Sequence, residues 1–184
     1  MSVELRTKRF LLRSLRQEDV TEAYVGWLND PEVNRYLEVR FKPQTMESVR
    51  AYVGGHDDRT RFLLGIFVEG LARHVGNYSL VVEPEHARGT LGVMIGDRAW
   101  WGEGAVLETR EAVLDFCFDR LEMEKVSGAC YASNRAAIYN YQRQGWLPDG
   151  VRKGHAICEG RRVDVIPFAM FRDVWRARKA GSHA

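Results

Sequence analysis

At 184 residues and 45% hydrophobic, the chain can bury one substantial core and is short for two, so a single domain over residues 1–184 is expected. A formal net charge of +2, with basic residues scattered rather than gathered in blocks, excludes an obvious nucleic-acid footprint. The 27 basic residues include 22 Arg, a composition that suits phosphate or carboxylate recognition and equally fits simple bias. Cys117, Cys130 and Cys158 are odd in number, far apart and set in apolar segments. That points to reduced core residues rather than a disulfide framework or a zinc site, and no metal is expected. The start "MSVELRTKRF" carries charge where a signal peptide needs an apolar stretch, and "FLLGIFV" is too short to span a bilayer; a cytoplasmic protein without a membrane partner is expected.

In chain order, "RFLLRSL" is predicted as a strand and "QEDVTEAYVGWLND" as a helix with Val20, Tyr24 and Trp27 or Leu28 on one face. Pro31 permits a new helix at "PEVNRYLE", and "PQTMESVRAYV" is a third short helix begun by Thr45. "RFLLGIFV" and "ARHVGNYSLVV" form a hairpin around Glu69-Gly70, and "GTLGVMIGD" is the next strand. Then come the helix in "WGEGAVLETREAVLDF", the strand "KVSGACYA", and a helix "NRAAIYNYQRQG" closed by Gly145. A second hairpin, "GHAICEGRRVDVIPFAM", turns at Glu159-Gly160. The tail from about residue 176 is expected to fray. The pattern is an α+β fold, a mostly antiparallel sheet of about seven strands with helices on its faces.

Two places carry chemistry. Gly102 and Gly104 precede a helix start, where unpaired N–H groups and the helix dipole favour an anion such as a phosphate. The alternative is a plain loop in which glycine relieves crowding. Asn134, Ala137 and Tyr141 share one helix face, leaving a slot between two polar residues. There the alternative is that Asn134 only caps the helix and Tyr141 only fills the core.

Taken together, strand, G-x-G, helix, strand, Asn-opened helix and "QGW" resemble the GNAT superfamily of acetyl-CoA-dependent N-acetyltransferases, over nearly the whole chain. "IGDRAWWGEGAVLETREAVLDF" resembles its pyrophosphate motif, and "NRAAIYNYQRQGW" its N-x-x-[AS]-x-x-x-Y-x-[KR]-x-G-[FY] segment. "WLNDPEV", "GNYSL", Glu83 to His86 and "HAICEGRRVDVIPFAM" are similar to the branch of ribosomal-protein N-terminal and nucleotide-amino-sugar acetyltransferases. One position departs from the pattern: where the family often places Gln or Arg three residues before the first glycine, this chain has Ala99, with Arg98 beside it.

The resemblance implies a GNAT-type sheet splayed between its fourth and fifth strands. Acetyl-CoA is then the cosubstrate, its pantetheine arm on the backbone of Val93, Met94 and Ile95 and its pyrophosphate on the N–H groups of Trp101, Gly102, Glu103, Gly104 and Ala105. Asn134, Ala137 and Arg143 complete that set, and Tyr141 is the acid for the leaving thiolate, with Tyr139 second choice. Trp27, Asn29, Glu38, Arg40, Asn77 and Tyr78 are the expected acceptor residues. Glu38, Glu83, His86, His74 and Asp97 are all of the right type for a general base, and none is assigned. The acceptor is expected to be the primary amine of a small molecule, a nucleotide-linked amino sugar ahead of a protein N-terminus, with the chain a monomer or homodimer. A catalytically silent acyl-CoA-binding protein is the rival from another class.

Overall fold

The continuous run "RFLLGIFV" sets the architecture of the first half. Arg61–Val68 is buried at six consecutive positions, Phe62 to Phe67, which requires cover on both faces, whereas Phe10–Ser14 alternates buried and half-buried. The computed structural model describes residues 2–181. Among them are nine strands and five α-helices in a mixed α+β fold, most strand pairs being antiparallel. The two strands beyond the seven expected are Glu4–Arg6 and Leu147–Pro148, both too short to show a periodicity. The residues fall into two compact units, one running to Val81 and resuming at Gly92–Ala112, the other comprising Val82–Leu91 and the chain from Val113.

In the first unit, β1 (Glu4–Arg6), β2 (Phe10–Ser14), β3 (Arg61–Val68) and β4 (Arg73–Glu83, up to Val81) form consecutive antiparallel pairs. The β3–β4 register shifts at Ile66/Phe67, so that Val75 bulges and its carbonyl accepts from the amides of Gly96 (2.9 Å) and Asp97 (3.0 Å), just past β5 (Arg88–Ile95). Gly76 lets the two strands approach: a Cβ there would stand 2.2 Å from the Met94 carbonyl oxygen. Helices α1 (Glu22–Asn29) and α2 (Met46–Gly54) are capped by Thr21 and Thr45, the latter in a capping box with Ser48. They pack Tyr24, Val49 and Val53 with Leu15, Leu63, Phe67 and Met94 into one core. Each such side chain taken from water contributes about 1.5–3 kcal/mol.

The expected helix at "PEVNRYLE" does not form. Asp30 Oδ1 accepts from the Glu32 amide (2.9 Å) and Asn34 Nδ2 donates to the Leu28 carbonyl (2.8 Å), folding the stretch into turns that end in a 3-10 helix at Glu38–Phe41.

The second unit is built on β6 (Lys125–Tyr131), which pairs in parallel with the start of β5 over three positions, Arg88↔Lys125 to Thr90↔Ser127. On its other side β6 pairs antiparallel with β9 (Arg161–Phe171), which also carries β7 (Leu147–Pro148) and β8 (Arg152–Cys158). The β8–β9 hairpin turns as expected at Glu159 and Gly160, both with positive φ (51° and 73°). Helix α3 (Ala105–Asp115) passes from the first unit into the second and ends in a π-helical turn, Phe116–Arg120. Helix α4 spans Arg135–Arg143 and α5 Arg172–Gly181. The tail expected to fray is thus helical through Gly181, while 182–184 lie outside the described residues. No helix is long and apolar enough to cross a membrane among the described residues, and all three cysteines are buried and form no disulfide there.

Candidate active site

The glycine turn lies in the first unit. After β5, Asp97 accepts from the Ala99 amide (3.1 Å), opening a 3-10 turn, and Trp101 Nε1 donates to the Ile95 carbonyl (2.8 Å). Gly102 and Gly104 then adopt φ of +79° and +72°, and α3 starts at Ala105. A Cβ at Gly102 would meet nothing within 4 Å, and one at Gly104 only Arg9 Nη2 at 3.8 Å. Relief of crowding therefore does not explain these glycines. Their left-handed conformation does, and it leaves open space in front of a helix N-terminus of eleven residues.

Arg9, which belongs to no recognisable motif, braces this turn. Its Nη2 donates to the Glu103 carbonyl (2.9 Å) and its Nε to Glu108 Oε2 (2.7 Å), while Glu108 Oε1 accepts from Thr7 Oγ1 and the Arg9 amide, both at 2.7 Å. Those bonds hold the Glu108 carboxyl below its usual range against the opposing effect of burial. Arg98 does not replace the side chain missing at Ala99, because it pairs with Asp30 (2.5 Å) and Glu32.

Beside the same strand is a cavity of about 420 Å³. Gly92, Val93 and Met94 of β5 form one wall; Tyr24, Leu28, Val49 and Tyr52 come from the two helices; Leu37, Glu38, Val39 and Gln44 come from the turn between them. Asn77 and Ser79 of β4 add polar atoms. Asn77 is 8% exposed and its Nδ2 donates to Tyr24 Oη (2.8 Å).

Of the six expected acceptor residues, Glu38 and Asn77 line the cavity, and the other four do not. Tyr78 is fully buried with its hydroxyl bonded to Thr109 Oγ1 (3.0 Å) and the Val106 carbonyl (3.2 Å). As the strand neighbour of Asn77 it must face the opposite way. Trp27 is half-buried against the core, its ring 5.2 Å from His74 and against Gly96. Asn29 staples the inter-helix turn by exchanging hydrogen bonds with the Gln44 backbone (2.8 and 2.9 Å). Arg40 bonds the Leu37 carbonyl (2.6 Å) and lies over Phe41.

In the second unit, Asn134 does cap α4, its Oδ1 accepting from the Ala137 amide (3.0 Å), which leaves its Nδ2 as a donor. Tyr141 is 5% exposed, stacked on Phe168 at 4.5 Å and edge-on to Trp146 at 5.1 Å. Its hydroxyl lies against Gly128 of β6, where a Cβ would come within 2.4 Å of it and 3.2 Å of the Leu91 carbonyl. Burial of the ring is thus combined with a hydroxyl aimed at the two strands that pair in parallel. Arg143 is exposed, as is Tyr139 at 59%.

Position sorts the candidate bases. Glu83 pairs with Arg88 (2.6 Å), Asp97 with Arg73 (2.5 Å), and His86 ends an exposed 3-10 turn. His74 is caged by Phe67, Tyr24 and Trp27, with one ring nitrogen on the Gly76 carbonyl (2.8 Å) and Nδ1 buried without a partner. Burial pushes its pKa down to about 4, so it stays neutral near pH 7. Glu38 alone of the five lines the cavity. No cluster of His, Cys, Asp and Glu suited to a metal occurs among the described residues.

Known proteins share this fold. The uncharacterized N-acetyltransferase p20 of Bacillus licheniformis is 22% identical over 174 residues, 91% of this chain and 96% of that protein. The fold matches that of a spermidine N-acetyltransferase from Vibrio cholerae in complex with CoA and spermine, at TM-score 0.82 and 17% identity over 91% of this chain and 98% of the other. It also matches RimL, a ribosomal L7/L12 alpha-N-protein acetyltransferase in complex with coenzyme A, at TM-score 0.81 and 18% identity over 94% and 99% of the two chains. A sequence model of the acetyltransferase (GNAT) domain matches residues 9–146, and the chain therefore belongs to the GNAT family of acetyltransferases, as an N-acetyltransferase.

Proposed function

We propose that the chain transfers the acetyl group of acetyl-CoA to the primary amine of a small molecule received in the cavity of the first unit. The observation that carries this reading is that the cavity includes Val93 and Met94, two residues expected to hold the pantetheine arm, in one wall and two helices in the others. A donor along β5 would then meet an acceptor from the α1–α2 side. The left-handed glycine turn, open in front of α3, supports a diphosphate at Trp101 to Ala105.

In the reaction the neutral amine attacks the thioester carbonyl, a C–N bond forms, the C–S bond of the collapsing tetrahedral oxyanion breaks, and the thiolate takes a proton. Tyr141 supplies that proton, and the proton lost by the amine passes to water or to Glu38. Asn134 Nδ2, left over from capping, donates to a pantetheine amide carbonyl; Ala137 keeps the helix face narrow, and Arg143 is assigned to the same cofactor. The sequence places a nucleotide-linked amino sugar ahead of a protein N-terminus as acceptor, and the spermidine and ribosomal-protein enzymes of the same fold illustrate how widely acceptors vary.

Thiol release from acetyl-CoA with a panel of amines, backed by calorimetry with acetyl-CoA, tests the reading. Turnover of at least one amine with stoichiometric N-acetyl product is expected. Tight CoA binding with no amine ever acetylated would favour a silent acyl-CoA-binding protein instead, and no CoA binding at millimolar ligand would refute both.

A further inference from the structure

We infer that Asn77 and Ser79 hold the acceptor by taking the two N–H hydrogens of its primary amine, and that Tyr24 is the positioning residue that turns the Asn77 amide for this; the assignment rests on the acetyl-transfer reading and deepens it. Two positions apart on β4, Asn77 and Ser79 share one strand face, and both line the cavity. Asn77 Nδ2 donates to Tyr24 Oη (2.8 Å), and Oδ1 of the same amide meets no donor among the described residues. The Ser79 hydroxyl likewise has no hydrogen-bond partner among them. Polar atoms of a pocket that no protein group satisfies are left for a ligand, and a primary amine brings two donors to these two acceptors.

Tyr24 fixes the direction. Its side chain is 2% exposed, the ring edge-on to His74 at 5.2 Å and tilted against Trp27 at 6.1 Å, so the hydroxyl has little room to swing. Burial raises its pKa, so it stays a neutral hydroxyl and takes no proton from the amine. With Nδ2 held on that oxygen, Oδ1 is the atom of the Asn77 amide that accepts from a ligand. Gln44, the other amide in the lining, is already engaged: Nε2 donates to the Lys42 carbonyl (2.9 Å) and Oε1 accepts from the Ser48 hydroxyl (3.2 Å). Ser79 brings the arrangement to β5, because a Cβ at Gly92 would stand 3.0 Å from its Oγ, beside the Val93 and Met94 of the cavity wall. Residues i and i+2 of a strand lie about 6.5 Å apart, so one nitrogen between them reaches both side chains. With both N–H groups engaged, the lone pair of the neutral amine is left for attack on the thioester. Both acceptors are uncharged, so they favour the ammonium form less than a carboxylate would.

Steady-state kinetics at saturating acetyl-CoA, with the best acceptor in a graded series of primary amines, test the assignment alongside calorimetry with acetyl-CoA. Asn77→Ala is expected to lower kcat/KM for the amine by about tenfold or more, and Ser79→Ala and Tyr24→Phe by about threefold or more each. Acetyl-CoA affinity should stay within about twofold in all three, which a damaged fold would not allow. In the Asn77→Ala background, Tyr24→Phe should change kcat/KM by less than about twofold, since Tyr24 acts through that amide. Should Asn77→Ala fail to fold, Ser79→Ala and Tyr24→Phe, which each remove a single oxygen, decide alone. Unchanged amine kinetics in Asn77→Ala or Ser79→Ala overturns the contact. Unchanged kinetics in Tyr24→Phe, or independent effects of Tyr24→Phe and Asn77→Ala, overturns the positioning role, and a parallel loss of acetyl-CoA affinity marks a structural role and overturns both. If the wild type binds acetyl-CoA and acetylates no amine, the acetyl-transfer reading has failed first and the assignment falls with it; wild-type turnover in all three variants leaves that reading standing and removes only this one.

Discussion

Adding one methyl group at Gly128 tests the placement of the Tyr141 hydroxyl. The new Cβ would lie 2.4 Å from the Tyr141 oxygen, about 1 Å short of an ordinary contact of roughly 3.5 Å. The ring cannot retreat easily, being stacked on Phe168 at 4.5 Å and edged by Trp146 at 5.1 Å. Overpacking of this kind costs about 1–3 kcal/mol, which for a chain of this size lowers Tm by roughly 2–12 °C. A catalytic group displaced by about 1 Å costs on the order of 100-fold in rate. Gly128→Ala is therefore expected to fold, to melt a few degrees early and to lose kcat in a thiol-release assay far beyond its loss of stability. In a Tyr141→Phe background the clashing oxygen is gone and the nearest ring atom is Cζ at 3.1 Å, so the same methyl should destabilise less, with a coupling of roughly 0.5–3 kcal/mol. Zero coupling in the melting data, or a Gly128→Ala enzyme with wild-type kcat, would refute the reasoning.

Three further outcomes are expected. Gly104→Val forces a β-branched residue to φ +72° at about 1–2 kcal/mol and puts a side chain in front of α3, so calorimetry should find acetyl-CoA binding weakened by more than the stability change; equal losses would restore a purely structural role. Asn134→Asp keeps the α4 cap and should keep Tm, whereas Asn134→Ala should cost about 0.5–2 kcal/mol; both remove the Nδ2 donor, so both should weaken acetyl-CoA binding, and an Asp variant that binds normally would show Asn134 to be a cap alone. His74 is held near pKa 4 when folded against about 6.5 unfolded, so the unfolded chain binds the extra proton in that window and stability should rise with pH from about 4 to 6.5. The depressed carboxyls of Asp19 and Glu108 give the same sign at lower pH; a His74→Phe variant read by denaturant titration above pH 5 should lose the slope, and an undiminished slope would contradict the caged-histidine account.

What could be read in the sequence was what local chemistry decides. Thr45 as a helix cap, the Glu159-Gly160 turn and the strand-to-helix switch at Gly102 and Gly104 each follow from the residues within a few positions. At "PEVNRYLE", Asp30 and Asn34 offer the backbone competing side-chain bonds, which helical spacing does not reveal, and turns form in place of the expected helix. Asn77 and Tyr78, as adjacent strand residues, face opposite ways, and in a strand buried on both sides polarity alone does not say which face meets a cavity. Tyr24, Tyr52, Gln44 and Ser79 line the cavity for a reason that no local pattern carries. Their meeting depends on four segments brought together from separate parts of the chain, and in the amphipathic pattern of α1 Tyr24 is indistinguishable from any core aromatic.

Whether the first-unit cavity takes the amine acetylated from acetyl-CoA is tested most directly by the steady-state kinetics of Gly92→Ala against wild type with the best amine of the panel. A Cβ at Gly92 would stand 3.0 Å from Ser79 Oγ, a contact that a small side-chain shift relieves, so the fold should survive while the methyl and the displaced Ser79, both in the lining, narrow the cavity. The account predicts a folded enzyme whose amine KM rises severalfold or more, more steeply for bulkier amines of the series. A folded variant whose amine KM is unchanged across the whole series would contradict it, because the acceptor would then be bound elsewhere.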